Sequence, residues 1–239
     1  MPVKELPYKN LAGVVMVPGG WLVLPARMAG ITVAAEEAFV VKNLFDVLDF
    51  RPVFDAAAIN VPVGLKDHPD GPWRSCDIDA RQYVGWPRAA AIYGVPSRET
   101  FEERYSGKAA EKEGWMNSAD RRRFRWLREA AHEMQPYHSR RFASAHPDVS
   151  FTAMNSDTPL KTSPWHDDGR RERLTLIKEQ LPGVDEVVTR TPPVGAHPKH
   201  LVDAGAMLWT ARRFSGRAIS RFPIDPAWDS EGLRTEICR

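Results

Sequence analysis

Two cysteines in 239 residues, Cys76 and Cys238, are too few for a disulfide framework or a four-cysteine zinc site. Long apolar runs are missing: no stretch approaches the roughly 20 residues needed to span a bilayer. Residues 1–10 hold no long apolar segment of the kind that opens a secretory signal. Neither sign of charge dominates, with 33 Lys and Arg against 31 Asp and Glu and a net charge of +2. Repeats, low-complexity tracts and an obvious interdomain linker are absent too. What is present excludes disorder, because a hydrophobic fraction of 43% with 8 Trp and 10 Phe can close a core. These features describe a soluble cytoplasmic protein, one domain over residues 1–239, with no membrane partner.

The balanced total hides a gradient. Residues 1–120 carry 13 basic against 16 acidic side chains, whereas residues 121–239 carry 20 against 15. Of the basic residues 24 are Arg and 9 are Lys. Arginine forks suit phosphate and carboxylate, although a GC-rich coding sequence gives the same bias.

Periodicity orders the chain. Apolar runs at 11–17, 21–24 and 30–35, separated by Pro18-Gly19-Gly20 and a second break, predict a three-strand antiparallel meander. The first run is apolar on both sides, as in a central strand covered on both faces. Phe39, Val40, Leu44, Val47 and Leu48 recur at helical spacing within 37–50. Residues 56–63 predict another strand. Beyond it the chain is mainly helical, with segments at 74–85, 97–112, 118–135, 147–155, 167–180 and 200–216. A short strand candidate at 142–146 leads into Pro147, a suitable first helical residue. The stretches 62–72 and 191–198 are loops, where functional residues collect.

Several residue groups could carry chemistry. Arg74, Asp77 and Arg81 share one helix face, as an anion-binding fork or as an ion-pair ladder. His146 and Asp148 flank Pro147 at a strand end. His146 could serve as general base or phosphate ligand, or the pair could cap the helix. Asp203 sits on an apolar helix face, where a carboxylate must be metal-bound or ion-paired, for instance to an Arg. Gly19 and Gly20 could let backbone N–H groups approach a phosphate, or could only make the turn. His197 and His200, three apart at a helix start, have metal-ligand spacing but no adjacent Cys or acid, and read as a solvated cap. Arg121-Arg-Arg-Phe-Arg-Trp126 interleaves cations with aromatics as single-stranded nucleic acid binders do, or presents a solvated face above buried Phe124 and Leu127. Cys76 reads as a packed thiol.

Seven segments stand in an order and spacing that resemble one family. They are Gly13-Val-Val-Met-Val-Pro-Gly-Gly-Trp21, Asn60-Val-Pro-Val-Gly-Leu65, Arg74-Ser-Cys-Asp-Ile-Asp-Ala-Arg81, His146-Pro-Asp-Val-Ser-Phe151, Gly169-Arg-Arg-Glu-Arg-Leu174, Asp203-Ala-Gly-Ala-Met-Leu-Trp-Thr-Ala211 and Gly232-Leu-Arg-Thr-Glu-Ile237. Together they resemble the domain of unknown function 429 family, described as predicted nucleases. The resemblance implies an α/β fold with an RNase H-like mixed sheet, a three-strand antiparallel meander plus parallel strands, flanked by helices. It also implies a hydrolase that gathers carboxylates around Mg²⁺ or Mn²⁺, since hard cations need oxygen ligands and a cation pair steadies attacking and leaving oxygens.

The chain departs from the family pattern where that chemistry would sit. Val15 replaces the first-strand Asp, and Asn60 replaces the Asp that opens the Asn-Val-Pro-Val-Gly-Leu segment. Ser144 replaces a Glu, and Pro164 and Trp165 replace two basic residues. Asp77, Asp148 and Asp203 remain. The expectation is a divergent member with a degenerate active site, binding nucleic acid, a nucleotide or another phosphate-containing ligand. His146, Asp148 and Asp203 are the candidate catalytic residues. Arg74, Asp77, Arg81, Asn60, Gly19 and Gly20 are the candidate ligand-binding residues. Two rivals are an active metal-dependent hydrolase, and an enzyme acting on a small molecule through His146 and the Arg74/Asp77/Arg81 cluster.

Overall fold

Valine, leucine and alanine dominate residues 11–17, and a computed structural model places them in strand β1 (Lys9–Val17), at the middle of a six-stranded sheet. The structure describes residues 7–68, 71–101 and 118–239. The Pro18-Gly19 turn returns β1 antiparallel into β2 (Gly20–Ala29). On its other edge β1 pairs parallel with β5 (Ala56–Asn60), and β6 (Phe142–Ser144) continues parallel beside β5. Strands β3 (Thr32–Ala35) and β4 (Phe39–Val41) share the far edge of β2. The fold is α/β, with a mixed sheet flanked by helices.

Pro25 lies inside β2 without ending it. Its carbonyl accepts from the Glu36 N–H at 2.8 Å, so its missing N–H falls on the same edge, in the gap between the segments paired to β4 and to β3. The helical pattern over 37–50 divides in two. Phe39, Val40 and Val41 prefer extended backbone and pair with Trp21–Val23, and helix α1 (Leu44–Leu48) buries only Leu44, Val47 and Leu48. The expected helix over 97–112 is described only as a 3₁₀ turn at Arg98–Phe101, and its remainder lies outside the described residues.

Alternation along β1 sets the two layers. Leu11, Val15 and Val17 pack with α4 (Pro147–Met154), α5 (Asp167–Gln180), α6 (Val184–Val188) and α7 (Pro198–Ser215). Ala12 and Val14 face α1 and α3 (Ser118–Glu133). Helix α7 is buried from His200 to Ala211 and lies directly on the sheet. A Cβ on Gly13 would stand 2.0 Å from the Ala204 carbonyl oxygen, so glycine is required for that approach. Helix α2 (Ser75–Val84) and the paired strands β7 (Arg221–Phe222) and β8 (Ile237–Cys238) surround a smaller cluster containing Cys76, Val149 and Ile237.

Strands β1, β5 and β6 run in one direction, so their carboxyl ends line one rim of the sheet. Ligands of sheets with parallel strands bind at such a rim. The first turn of α7 meets it there.

Candidate functional site

A cleft of about 220 Å³ opens at this rim. Val17, Asn60 and His146 enter it from β1, the end of β5 and the residue before α4, and Lys199, His200 and Asp203 enter from α7. Tyr93, Arg123, Trp126 and Trp165 are among its other walls. A smaller space of about 20 Å³, room for one water, adjoins it and is lined by the same Asn60, Tyr93 and His146.

Val15 and Asn60 are direct partners in the parallel register of β1 and β5. The two positions where the resemblance expects carboxylates are therefore neighbours, 45 residues apart in sequence. Val15 is 1% exposed and belongs to the core under α7, whereas Asn60 is half-buried at the cleft.

Among the described residues, Asp203 is the carboxylate that reaches this cleft. Its side chain is buried and forms an ion pair with Lys199, one helical turn earlier on α7. The partner is therefore a lysine, where the sequence suggested an arginine. The Lys199 ammonium also lies 5.2 Å from the centre of the Trp165 ring, a cation–π contact that helps fix its position. His200 presents its ring edge-on to Trp165 at 5.9 Å, and its Nδ1 accepts from the His197 backbone N–H at 3.0 Å. His200 caps the helix start as its spacing suggested, but it is buried rather than solvated. Burial, then the Lys199 charge, lowers its pKa to about 4, so the ring is neutral at physiological pH.

His146 lies in the cleft but is held from its own helix. Its Nδ1 accepts from the Asp148 backbone N–H at 3.2 Å, capping α4. Burial lowers its pKa, and the Lys199 charge adds to that, while Asp148, Asp203 and the Ala91 carbonyl favour the protonated ring. Asp148 points elsewhere. Its two oxygens receive Arg88 at 2.8 Å and Arg173 at 2.9 Å, and Arg173 is wholly buried. Burial alone would raise the Asp148 pKa, but hydrogen bonds from Arg88 and the surrounding positive charge hold it at about 2.

Arg74 and Asp77 form a buried bidentate pair, Nε to Oδ2 at 2.9 Å and Nη2 to Oδ1 at 2.6 Å, with Nη1 donating to the Gly64 carbonyl at 2.7 Å. Both residues line the smaller space, which shares Asn60, Tyr93 and His146 with the cleft. Arg81 donates to the Ala89 and Ile92 carbonyls, each at 2.8 Å, and stacks on Trp73. These contacts tie α2 to its neighbours. The two glycines serve the β1–β2 turn: Gly19 approaches Gly195, and a Cβ on Gly20 would stand 2.1 Å from the Val41 carbonyl oxygen, at φ +137.

Mg²⁺ or Mn²⁺ at this rim would need several oxygen donors. Among the described residues no three His, Cys, Asp or Glu side chains come together to hold a metal ion. Asp203 is matched to Lys199, Asn60 is a neutral donor, and Val15 offers none, so this donor set does not fit a divalent pair.

The model of the DUF429 family, described as a protein of unknown function, matches residues 13–227. The chain belongs to this family. The matched span of this DUF429 chain contains every cleft residue from Val17 to Asp203. No curated protein and no solved structure matches the chain.

Sequence reasoning singled out Asn60, His146 and Asp203, which the fold brings to one cleft. It gave Lys199 no role, although Lys199 stands four residues before Asp203, a spacing that pairs side chains on a helix. Trp165 entered only as a replacement for a basic residue. Arg123 and Trp126 belonged to the basic-aromatic run, and in the structure Arg123 stacks over Tyr93 at 4.2 Å while Trp126 Nε1 donates to the Gly20 carbonyl at 2.9 Å.

Proposed function

We propose that this chain is a divergent DUF429 member, RNase H-like in fold, that binds a phosphate-containing ligand without the usual two-metal nuclease chemistry. A meander whose first strand is central, followed by two strands parallel to it, supports the fold assignment. One observation carries the function: the cleft presents Lys199, Arg123 and aromatic rings, and its carboxylate, Asp203, is already neutralised. The lining carries two cationic side chains, Arg123 and Lys199. That suits an anion, and Trp165, which is 57% exposed, offers a face for a flat base. A nucleotide or the phosphorylated end of a nucleic acid has both features.

Calorimetric titration of the full chain in EDTA tests this reading, using inorganic phosphate and a short single-stranded oligonucleotide with a terminal phosphate. The oligonucleotide is expected to bind saturably, and Arg123→Ala or Trp165→Ala should each weaken it by about tenfold. Phosphate alone should bind more weakly. Absence of binding by both probes would overturn the proposal, as would cleavage of the oligonucleotide that depends on added Mg²⁺ or Mn²⁺.

A further inference from the structure

Asp203 poses an electrostatic problem that, among the described residues, the chain solves without a second carboxylate lining the cleft. Its side chain is only 3% exposed, and a carboxylate this deep is costly unless a cation faces it. Where two or three carboxylates meet, divalent ions balance them. Here the positions beside one another on β1 and β5 hold Val15 and Asn60, so among the described residues lining the cleft a single carboxylate, Asp203, remains. A divalent cation would overcompensate it, whereas one ammonium balances it.

We infer that Lys199 is the resident cation of this cleft, a covalently attached replacement for a metal ion at Asp203. Three features fit. Lys199 leaves α7 one turn before Asp203 and reaches its carboxylate, and it is itself largely buried, at 18% exposed. The ammonium lies over the Trp165 ring, 5.2 Å from its centre. Trp165 also stands where the family pattern has a basic residue, so a flat ring has replaced a side chain that would repel Lys199. The loss of carboxylates and the presence of the lysine are then two halves of one change: each makes the other tolerable. This deepens the reading of the cleft as metal-free, on which it rests, and adds that Lys199 itself keeps metal out.

The inference predicts that removing Lys199 admits a metal. Asn60→Asp is half-exposed and should fold; with Asp203 and His200 it supplies three donors lining one cleft. Mn²⁺ binding is read from the electron paramagnetic resonance signal of free ion, with the full-length Asn60→Asp chain and the Asn60→Asp/Lys199→Ala double variant. The double variant is expected to bind Mn²⁺ at least tenfold more tightly, and adding Asp203→Asn should abolish the gain. Equal Mn²⁺ binding by the two chains, or none by either, would overturn the inference. If the double variant does not fold, Lys199→Ala against the unaltered chain decides: a gain in Mn²⁺ affinity supports the inference, and no gain contradicts it. Phosphate binding by the unaltered chain is a separate measurement, so failure here is distinguishable from failure of the proposed function.

Discussion

At the scale of single residues, the acidic side chains divide by what faces them. Asp148 meets two arginines, Asp77 meets one, and Asp203 meets a lysine at the cleft. Asp148 is the clearest structural case. Its pKa of about 2 lies below the ~3.9 of an unfolded aspartate, so the unfolded chain binds the proton first as pH falls. The resulting stabilisation is fully present above about pH 4 and is lost as pH drops through about 2. Its size is on the order of 2–3 kcal/mol. Asp148→Asn should leave Arg173 buried without its counter-charge and lower stability at pH 7 by about 3 kcal/mol. Urea denaturation at pH 7 and at pH 3 checks this: the deficit of the variant should shrink at the lower pH. An equal deficit at both would mean that charge is not the cause. These roles were only partly legible in sequence. That Val15 and Asn60 stand where the resemblance expects carboxylates was legible, but their adjacency came from the strand register, and the partner of each Asp depended on which helix faces which, which spacing alone cannot supply.

At the scale of elements, close approach of backbone to backbone sets the architecture. Helix α7 reaches β1 because Gly13 has no side chain, and this contact brings Lys199 and Asp203 to the strand ends. Gly13→Ala would force Ala204 away, and stability should fall by about 3 kcal/mol. Gly216→Ala, at the far end of α7, meets nothing nearer than 3.5 Å and should change stability by about 0.5 kcal/mol or less. Thermal unfolding of both variants separates them; similar losses would contradict the packing argument. The meander was readable because its apolar runs end at Gly-rich turns, and β1 and β5 because their runs are apolar on both faces. Strand β4 was not, since Phe39 and Val40 also fit the helical period of the Leu44–Leu48 turn that follows. The two-residue strands β7 and β8 carry no local signal at all; they exist because Arg221–Phe222 finds Ile237–Cys238 across the fold.

At the scale of the whole molecule, part of the basic surplus of the second half is held in ion pairs within the fold. Arg170, Arg171, Arg173, Arg221 and Arg239 all have carboxylate partners, and Arg212 donates to the Gln180 carbonyl. Among the described residues no helix is long and apolar enough to cross a membrane. The charge on which the proposed function rests is local, at the rim where β1, β5 and β6 end. There the family resemblance leads one to expect carboxylates holding metal, and the chain has an ammonium holding a carboxylate. Composition could not reveal that exchange, because it changes the total charge very little.

The central claim is that this rim works without a divalent cation. Titrating the unaltered full-length chain with Mn²⁺, and following free ion by electron paramagnetic resonance, tests it most directly. The account predicts that all added Mn²⁺ stays free at protein concentrations in the tens of micromolar. One saturable Mn²⁺ site, abolished by Asp203→Asn, would contradict it.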